Sequence, residues 1–479
     1  MTTGLRTGDA LSYVSGRWPA DVLPLLTEYA RIPSLSPAYD PDWQAHGRLD
    51  DAAEMYAAWA RSRPLDGAVV DVVRLDGLTP TVVVDVPASD GEATGTVLIY
   101  GHYDKQPPFD GWSEGRGPWT PVREGDWLYA RGVADDGYAL PSALVALEAI
   151  RAGGGHHARV VIIAEGSEES GSPHLPAVLA HLDARIGPPD IVIALDSGCV
   201  TYDRLWVTTS LRGALVGILT VRVLDHGVHS GSAGGVVPSS FRILRLLLDR
   251  IEDAATGDLL LPELQVEPPP SALVAAEALA RARHEAEMDG SPYPTVPGLV
   301  LQGTDVADQA LRTAWRGSLA TVGADGLPPV AEAGAVLRPF TTVKLAIRLP
   351  PTVDADVADR AVGRALTTDP PYGAGVEWTD AMAAGGWSAS RPEPWLATAL
   401  DRASEVSFGR PPGEMGEGGT IPFMGWLAAR FPEAQILALG VLGPGSNAHG
   451  PDEGLHLPTA ERVTGALAVL IDAHATRRH

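Results

Sequence analysis

The sequence predicts an α/β protein in which a mostly parallel sheet flanked by helices is split by an inserted, ferredoxin-like α+β domain. Two observations carry this prediction. Short apolar runs alternate with helical patterns in the first part of the chain and again near its end. Between them the order becomes strand, helix, strand, strand, helix, strand, as in a four-stranded antiparallel sheet. We therefore predict one domain made of residues 1–209 and 386–479, and an inserted domain at 210–385.

The elements of the first part follow from local patterns. A helix predicted around 139–152 has Pro141 near its first turn and Gly153 after its end. Short apolar runs such as ARVVIIAEG and PDIVIALDSG are typical of parallel strands buried on both faces. Further predictions are helices at 20–34 and 48–62 and strands in TVVVDVP, GTVLIYGHYD and WLYARGV.

The remaining elements are assigned in the same way. The segment 260–315 holds a proline-rich loop and a helix, and we treat it as an insertion without an assigned role. In the inserted domain we predict strands at 214–225, 317–323, 341–350 and 373–381, and helices at 239–251 and 353–366. The C-terminal part is predicted to hold helices at 394–407, 421–430 and 459–475 and the strand QILALGVLG.

Composition limits the class of protein. Of 479 residues, 45% are hydrophobic, which excludes a disordered chain. The net charge of −24 argues against binding to nucleic acid or to an anionic membrane surface. The single cysteine, Cys199, forms no internal disulfide, and no signal peptide or membrane-spanning run is evident. We therefore expect a cytoplasmic protein.

Acidic and imidazole side chains follow the most strand-like segments. In an open α/β sheet, the loops at the carboxyl ends of neighbouring strands converge on one crevice. Two histidines and several carboxylates there would suit a pair of divalent cations, and hence a hydrolase. The side chains concerned are His102, Asp104, Asp135, Glu168, Glu169, Asp196 and His449.

Taken singly, each of these residues also fits a purely structural role. Asp135 and Asp136 precede a helix, where carboxylates also act as caps. Glu168 and Glu169 fit either a solvated acidic turn or a pair in which one binds metal and the other takes a proton from water. The segment 111–115 matches the G-x-S-x-G motif of serine hydrolases. That motif requires a preceding strand and a following helix, which the flanking residues do not predict.

Together, the motifs resemble those of the carnosinase, aminoacylase and desuccinylase family of co-catalytic zinc hydrolases, and most closely its carnosinase-like dipeptidase branch. The resemblance extends over nearly the whole chain, and the motifs occur in the family's order. They are GHYDKQPP, RGVADDG, EGSEESGS, ALDSG, VHSG, IRLPP, EGGTIP and AHGPDE.

The resemblance implies two zinc ions per subunit, with Mn²⁺ or Co²⁺ as substitutes. By position, His102 and Asp196 would bind one ion, Glu169 and His449 the other, and Asp135 would bridge them. It also implies that Asp104 orients His102 and that Glu168 is the general base.

The resemblance further implies a substrate site and a homodimer formed through the inserted domain, which would act as a lid. His229 would reach the scissile carbonyl, often from the partner subunit, and Arg348 would hold a substrate carboxylate. The loop of Glu417, Gly418, Gly419 and Thr420 would also bind substrate. The expected substrate is a dipeptide, with an N-acyl amino acid or a non-catalytic metal-binding scaffold as alternatives.

Two positions depart from the family pattern. Gly137 stands where the family usually has a lysine, and Lys105 stands where many relatives have a small apolar residue. The proposed ligands are unaffected, so these departures bear on the choice of substrate.

Overall fold

The computed structural model describes residues 4–89, 93–288, 290–291, 293–419 and 422–477. Its strands are β1 (Val69–Val73), β2 (Thr81–Val86), β3 (Thr96–His102), β4 (Val122–Glu124), β5 (Trp127–Tyr129), β6 (Arg159–Glu165), β7 (Ile191–Ala194), β8 (Trp206–Leu211), β9 (Gly213–Arg222), β10 (Val228–His229), β11 (Ser318–Asp325), β12 (Val336–Leu337), β13 (Phe340–Leu349), β14 (Gly375–Ala384), β15 (Trp387–Ser388), β16 (Gly413–Glu417), β17 (Gln435–Ala438) and β18 (Gly454–His456).

The α-helices alternate with these strands along most of the chain. They are α1 (Thr7–Arg17), α2 (Leu23–Ala30), α3 (Trp43–His46), α4 (Arg48–Arg61), α5 (Ala139–Ala152), α6 (Leu175–His181), α7 (Asp183–Ile186), α8 (Ser230–Ala233), α9 (Ser240–Leu248), α10 (Pro270–Glu285), α11 (Val306–Ala314), α12 (Ala355–Thr367), α13 (Pro394–Phe408), α14 (Pro422–Arg430) and α15 (Leu457–Thr476).

The central sheet has a parallel core. Strands β6, β3, β7 and β17 are parallel neighbours, and antiparallel strands extend the sheet on both sides. β7 is buried throughout, as a strand covered on both faces must be. One face packs against α1, α2, α4, α5, α13 and α15, and the other against α6 and α14. The predicted fold class, a largely parallel sheet between helices, is confirmed.

A second sheet forms the inserted α+β unit. Its strands are all antiparallel, in the order β11-β13-β9-β14. Alternate residues of β9 and β13 are buried, and they pack with α9 and α12 in a separate hydrophobic core. Helices α10 and α11, from the insertion at 260–315, contact β16 of the central sheet instead. The domain boundaries at 210 and 385 stay predictions.

The helix predicted at 20–34 differs from the observed structure. A π-helical turn at Trp18–Val22 leads into α2, which ends at Ala30. Pro33 explains the early end, because proline disfavours helical geometry in the residue before it and lacks an N–H group. Within the parts of the chain that the structure describes, no helix is both long and apolar enough to cross a membrane.

Candidate metal centre

The site lies where the parallel strands of the central sheet end. His102 is the last residue of β3 and pairs with Glu165, the last residue of β6. Glu168 follows β6 closely, and Asp196 follows β7 after one intervening residue. Because neighbouring parallel strands end at the same edge of a sheet, these side chains converge there.

Asp104 connects His102 to the turn after β6. Its Oδ1 lies 3.4 Å from Nδ1 of His102, and its carboxylate accepts the backbone N–H groups of Glu168 at 3.1 Å and Glu169 at 3.0 Å. The side chains of His102 and Asp104 are fully buried. Asp104 therefore fixes the position of the imidazole ring relative to the backbone of the two glutamates.

Asp135 lies between the two histidines. Its Oδ1 is 3.1 Å from Nε2 of His102, and its Oδ2 is 2.9 Å from Nε2 of His449. His449 Nε2 is also 3.3 Å from Oε2 of Glu169, which accepts a hydrogen bond from Nε2 of Gln106 at 2.6 Å. The two oxygens of Asp135 thus face different histidines, as a bridging carboxylate requires.

Glu168 and Asp196 complete the cluster around Nε2 of His102. Nε2 of His102 lies 4.0 Å from Oε2 of Glu168 and 3.9 Å from Oδ1 of Asp196. Each of two groups of three residues has all its ligand atoms within 4.8 Å of one another. These groups are His102, Asp135 and Glu169, and His102, Glu168 and Asp196.

The electrostatics of the cluster favour bound cations. Burial and the charge of Asp196 hold the pKa of Glu168 well above its usual value, and burial raises the pKa of Asp196 to about 7. Burial also tends to raise the pKa of Asp135, but hydrogen bonds to the two histidines outweigh it and the net pKa is lowered. Imidazole and carboxylate donors suit zinc and similar divalent ions, so these residues fit a metal site.

A buried ion pair that sequence reasoning missed supports two of the proposed ligands. Glu453 Oε1 accepts three backbone N–H groups of the 132–135 loop, at 2.9, 3.3 and 3.3 Å, including that of Asp135. Its Oε2 accepts Nη1 of Arg131 at 2.7 Å, and both side chains are 1% exposed. Arg131 also donates to the carbonyl of Gly450, beside His449. The sequence does contain a signal for this pair, because Arg131 lies in the motif RGVADDG and Glu453 lies in the motif AHGPDE.

The predicted substrate residues of the inserted unit lie on its strands. Arg348 is on β13, opposite Ala214 of β9. Burial, together with the positive charge of Arg348, lowers the pKa of Arg212 to about 10. His229 ends β10, is exposed, and accepts the N–H of Gly231 at 3.1 Å through Nδ1. Among the described residues, the ion pairs and hydrogen bonds of the metal cluster do not include His229.

The predicted substrate loop begins at the end of β16. Glu417 is the last residue of that strand, and Gly418 and Gly419 follow it. The carbonyl of Gly418 accepts Nε of Arg212 at 3.3 Å. Thr420 lies outside the described residues.

The two departures from the family pattern meet at one aromatic ring behind the site. A Cβ atom on Gly137 would lie 2.4 Å from Cε1 of Tyr29, so Tyr29 occupies the space that a side chain there would need. Nζ of Lys105 lies 3.9 Å from the centre of the same ring, and it donates to the carbonyls of Tyr29 at 3.0 Å and Ile32 at 2.8 Å. Burial lowers the pKa of Lys105. Both departures therefore affect packing of the N-terminal segment, and their effect on the choice of substrate stays a prediction.

Residues 98–473 match peptidase family M20/M25/M40. The chain belongs to this family. It is therefore a hydrolase, and divalent metal use follows from membership in this family of metallopeptidases. The resemblance drawn from the sequence motifs is confirmed.

Two relatives and one solved structure of the M20 family illustrate the similarity. Cysteinylglycine-S-conjugate dipeptidase of Corynebacterium striatum is 26% identical over 437 residues, which cover 87% of this chain and 89% of that protein. The Cys-Gly metallodipeptidase of Schizosaccharomyces pombe is 26% identical over 339 residues, which cover 68% of this chain and 69% of that protein. The crystal structure of human carnosine dipeptidase 1 superposes with a TM-score of 0.75 at 21% identity, covering 98% and 99% of the two chains.

Proposed function

We propose that this M20 peptidase is a dipeptidase that uses two divalent cations to cleave dipeptides with a free carboxylate. The observation that supports it most directly is the position of Asp135, whose two oxygens lie 3.1 and 2.9 Å from His102 and His449. One carboxylate shared between two imidazole sites is the arrangement that a two-cation centre needs.

The cluster divides into two proposed sites. His102 and Asp196 would hold one cation, Glu169 and His449 the other, and Asp135 both. We propose zinc as the cation, with Mn²⁺ or Co²⁺ as substitutes. When bound, the cations supply Lewis-acid chemistry, making water more acidic and polarising the scissile carbonyl.

Glu168 is the proposed general base. Burial and neighbouring carboxylates hold the pKa of Glu168 well above its usual value, so this carboxylate takes up a proton more readily than a free one. Glu168 would accept a proton from the attacking water and return it to the leaving amine. Asp104 would hold the turn that carries Glu168, through the backbone N–H of that residue.

The names of the relatives support a dipeptide substrate, since they refer to cysteinylglycine conjugates, Cys-Gly and carnosine. The planar guanidinium of Arg348 would bind the substrate carboxylate through paired donors. His229, of the same or of the partner subunit, would stabilise the developing oxyanion in a homodimer formed through the inserted unit. Gly418 and Gly419 would line the substrate pocket. A cytoplasmic location remains part of the proposal.

A release assay over matched substrates tests this function. Purified protein is stripped with a chelator, reloaded with Zn²⁺, Mn²⁺ or Co²⁺, and given a panel of dipeptides and N-acyl amino acids. We expect release of free amino acid from dipeptides, loss of release after stripping, and recovery on reloading. Faster cleavage of N-acyl amino acids than of every dipeptide would favour a deacylase instead. Metal uptake without cleavage of any substrate would indicate a scaffold.

A further inference from the structure

Glu417 directs one carboxylate oxygen at the turn that follows β7. Its Oε1 accepts hydrogen bonds from Oγ of Ser197 at 2.6 Å, the backbone N–H of Gly198 at 3.0 Å and Oγ1 of Thr208 at 2.5 Å. Ser197 and Thr208 are each only 1% exposed. This oxygen is therefore committed to contacts within the protein.

Two of these three donors directly follow Asp196, a proposed metal ligand. On its other side, the same turn is tied to the segment after β17. The N–H of Cys199 donates to the carbonyl of Leu442 at 3.0 Å, and the N–H of Leu442 donates to the carbonyl of Ser197 at 3.3 Å. Asp196 thus precedes a turn that is fixed from two directions, and Glu417 supplies the only charged partner among these contacts.

The strand that carries Glu417 is supported by the insertion at 260–315. A Cβ atom on Gly416 would lie 2.5 Å from Cβ of Ala314 in α11, so strand and helix are in close contact. The N–H of Arg212 donates to the carbonyl of Glu417 at 3.3 Å. Nη1 of Arg212 donates to the carbonyl of Arg316, just after α11, at 3.1 Å. Helix α11 and Arg212 thus both contact β16, the strand that pairs with β8.

We propose that Glu417 is a positioning residue that fixes the turn after Asp196 and thereby sets the affinity of the cation that Asp196 holds. This inference rests on the proposed function, since it assumes that Asp196 is a ligand. It assigns Glu417 a different role from the substrate contact that the family resemblance implies. It also gives the insertion at 260–315 a role, namely support of the strand behind the metal centre.

The size of the effect follows from known outer-shell partners. Loss of such a partner weakens metal binding by about 10–100-fold. Glu417→Ala removes both the acceptor and the negative charge, so we expect a loss in that range for one of the two cations. Glu417→Gln keeps an oxygen that can accept the three hydrogen bonds but loses the charge, so its loss should be smaller.

The test measures metal binding without substrate. Stripped wild type, Glu417→Ala and Glu417→Gln are titrated with Co²⁺ and followed by calorimetry and cobalt absorption. Glu414→Ala, an exposed glutamate of the same strand, is the matched control and should bind as wild type does. Thermal unfolding of the stripped proteins checks folding. If Glu417→Ala fails to fold, Ser197→Ala, which removes one donor to the same oxygen, should show a smaller loss in the same direction.

Activity provides a second readout. If Glu417 positions Asp196, excess metal should restore kcat of Glu417→Ala with KM near that of wild type. Wild-type cobalt affinity in Glu417→Ala, with a raised KM that added metal does not correct, would overturn the inference in favour of substrate binding. A wild type that takes up no metal would contradict the proposed function as well, so the two failures are distinguishable.

Discussion

His449 Nε2 lies 2.9 Å from Oδ2 of Asp135, which joins the loop after β17 to the loop before α5. The second oxygen of the same carboxylate faces His102 at 3.1 Å. If both histidines bind cations, Asp135 is the one side chain shared by the two sites, and its replacement should affect both.

We therefore predict that Asp135→Asn loses both cations, whereas His449→Ala loses one. Asparagine keeps the volume of aspartate, but it loses the charge and replaces one oxygen with an N–H₂ donor that cannot bind metal. The metal content of desalted protein, measured by elemental analysis, checks this. Asp66→Asn, at an exposed position, is the control and should keep its metal content. Two cations retained by Asp135→Asn would contradict a bridging role.

Variants of the two adjacent glutamates should differ in metal content in the same measurement. Glu168→Gln is expected to keep both cations while hydrolysis falls by about 10²–10⁴-fold, the usual contribution of a general base. Glu169→Gln should lose one cation, because its Oε2 lies beside His449. Loss of metal in Glu168→Gln, with normal content in Glu169→Gln, would reverse the two roles.

Sequence patterns predict the fold and the residues of the cluster for a physical reason. The apolar runs of β6 and β7 identify buried parallel strands, and the ends of such strands meet at one edge. The patterns do not predict the contacts that hold the cluster in place. Glu453 reaches the loop of Asp135, and Glu417 reaches the turn after Asp196, from distant parts of the chain. Such contacts depend on how loops converge, which local periodicity does not record.

The buried pair of Arg131 and Glu453 should matter for stability. Removing one partner leaves an uncompensated buried charge, which typically costs about 3–5 kcal/mol. Glu453→Ala also leaves three N–H groups of the 132–135 loop without their acceptor. We expect a fall of this size in the free energy of unfolding of the stripped protein, measured in urea. Glu28→Ala, which breaks an exposed ion pair with Arg31, should change little.

The role of His229 can be tested by mixing subunits. Glu168→Gln and His229→Ala are each expected to be nearly inactive, with metal content unchanged in His229→Ala. If His229 acts across a dimer, hybrids of the two variants should regain part of the activity, since one site per hybrid has both residues intact. His226→Ala, at another exposed histidine of the same segment, should stay active. Absence of recovery in hybrids demonstrated by mass spectrometry would favour action within one subunit.

Glu165, behind the metal cluster, should make stability depend on pH. Burial raises the pKa of its carboxyl to about 7, with a further contribution from the charge of Asp104. The hydroxyls of Tyr100, Ser167 and Ser172 donate to it and only partly offset burial. In the unfolded chain the same group has an ordinary pKa near about 4.3. Between these values the folded protein keeps a proton that the unfolded chain releases, so stability falls as pH rises through this window.

The variant Glu165→Gln isolates this contribution, because glutamine keeps the shape of the side chain and does not ionise. Its amide oxygen can accept from Tyr100 and Ser172, and its N–H₂ group can donate to the hydroxyl of Ser167. The other buried carboxylates titrate in both proteins, so the difference between the two free energies of unfolding reports mainly Glu165. The two proteins are unfolded in urea with chelator present. We expect the free energy of unfolding of Glu165→Gln to rise relative to that of wild type between pH 5 and pH 8, by up to about 3 kcal/mol. This figure follows from about 1.4 kcal/mol per unit of pKa shift. A difference that stays constant over this range would show that Glu165 does not titrate there. A difference that shrinks with rising pH would mean that the folded protein favours the ionised carboxylate.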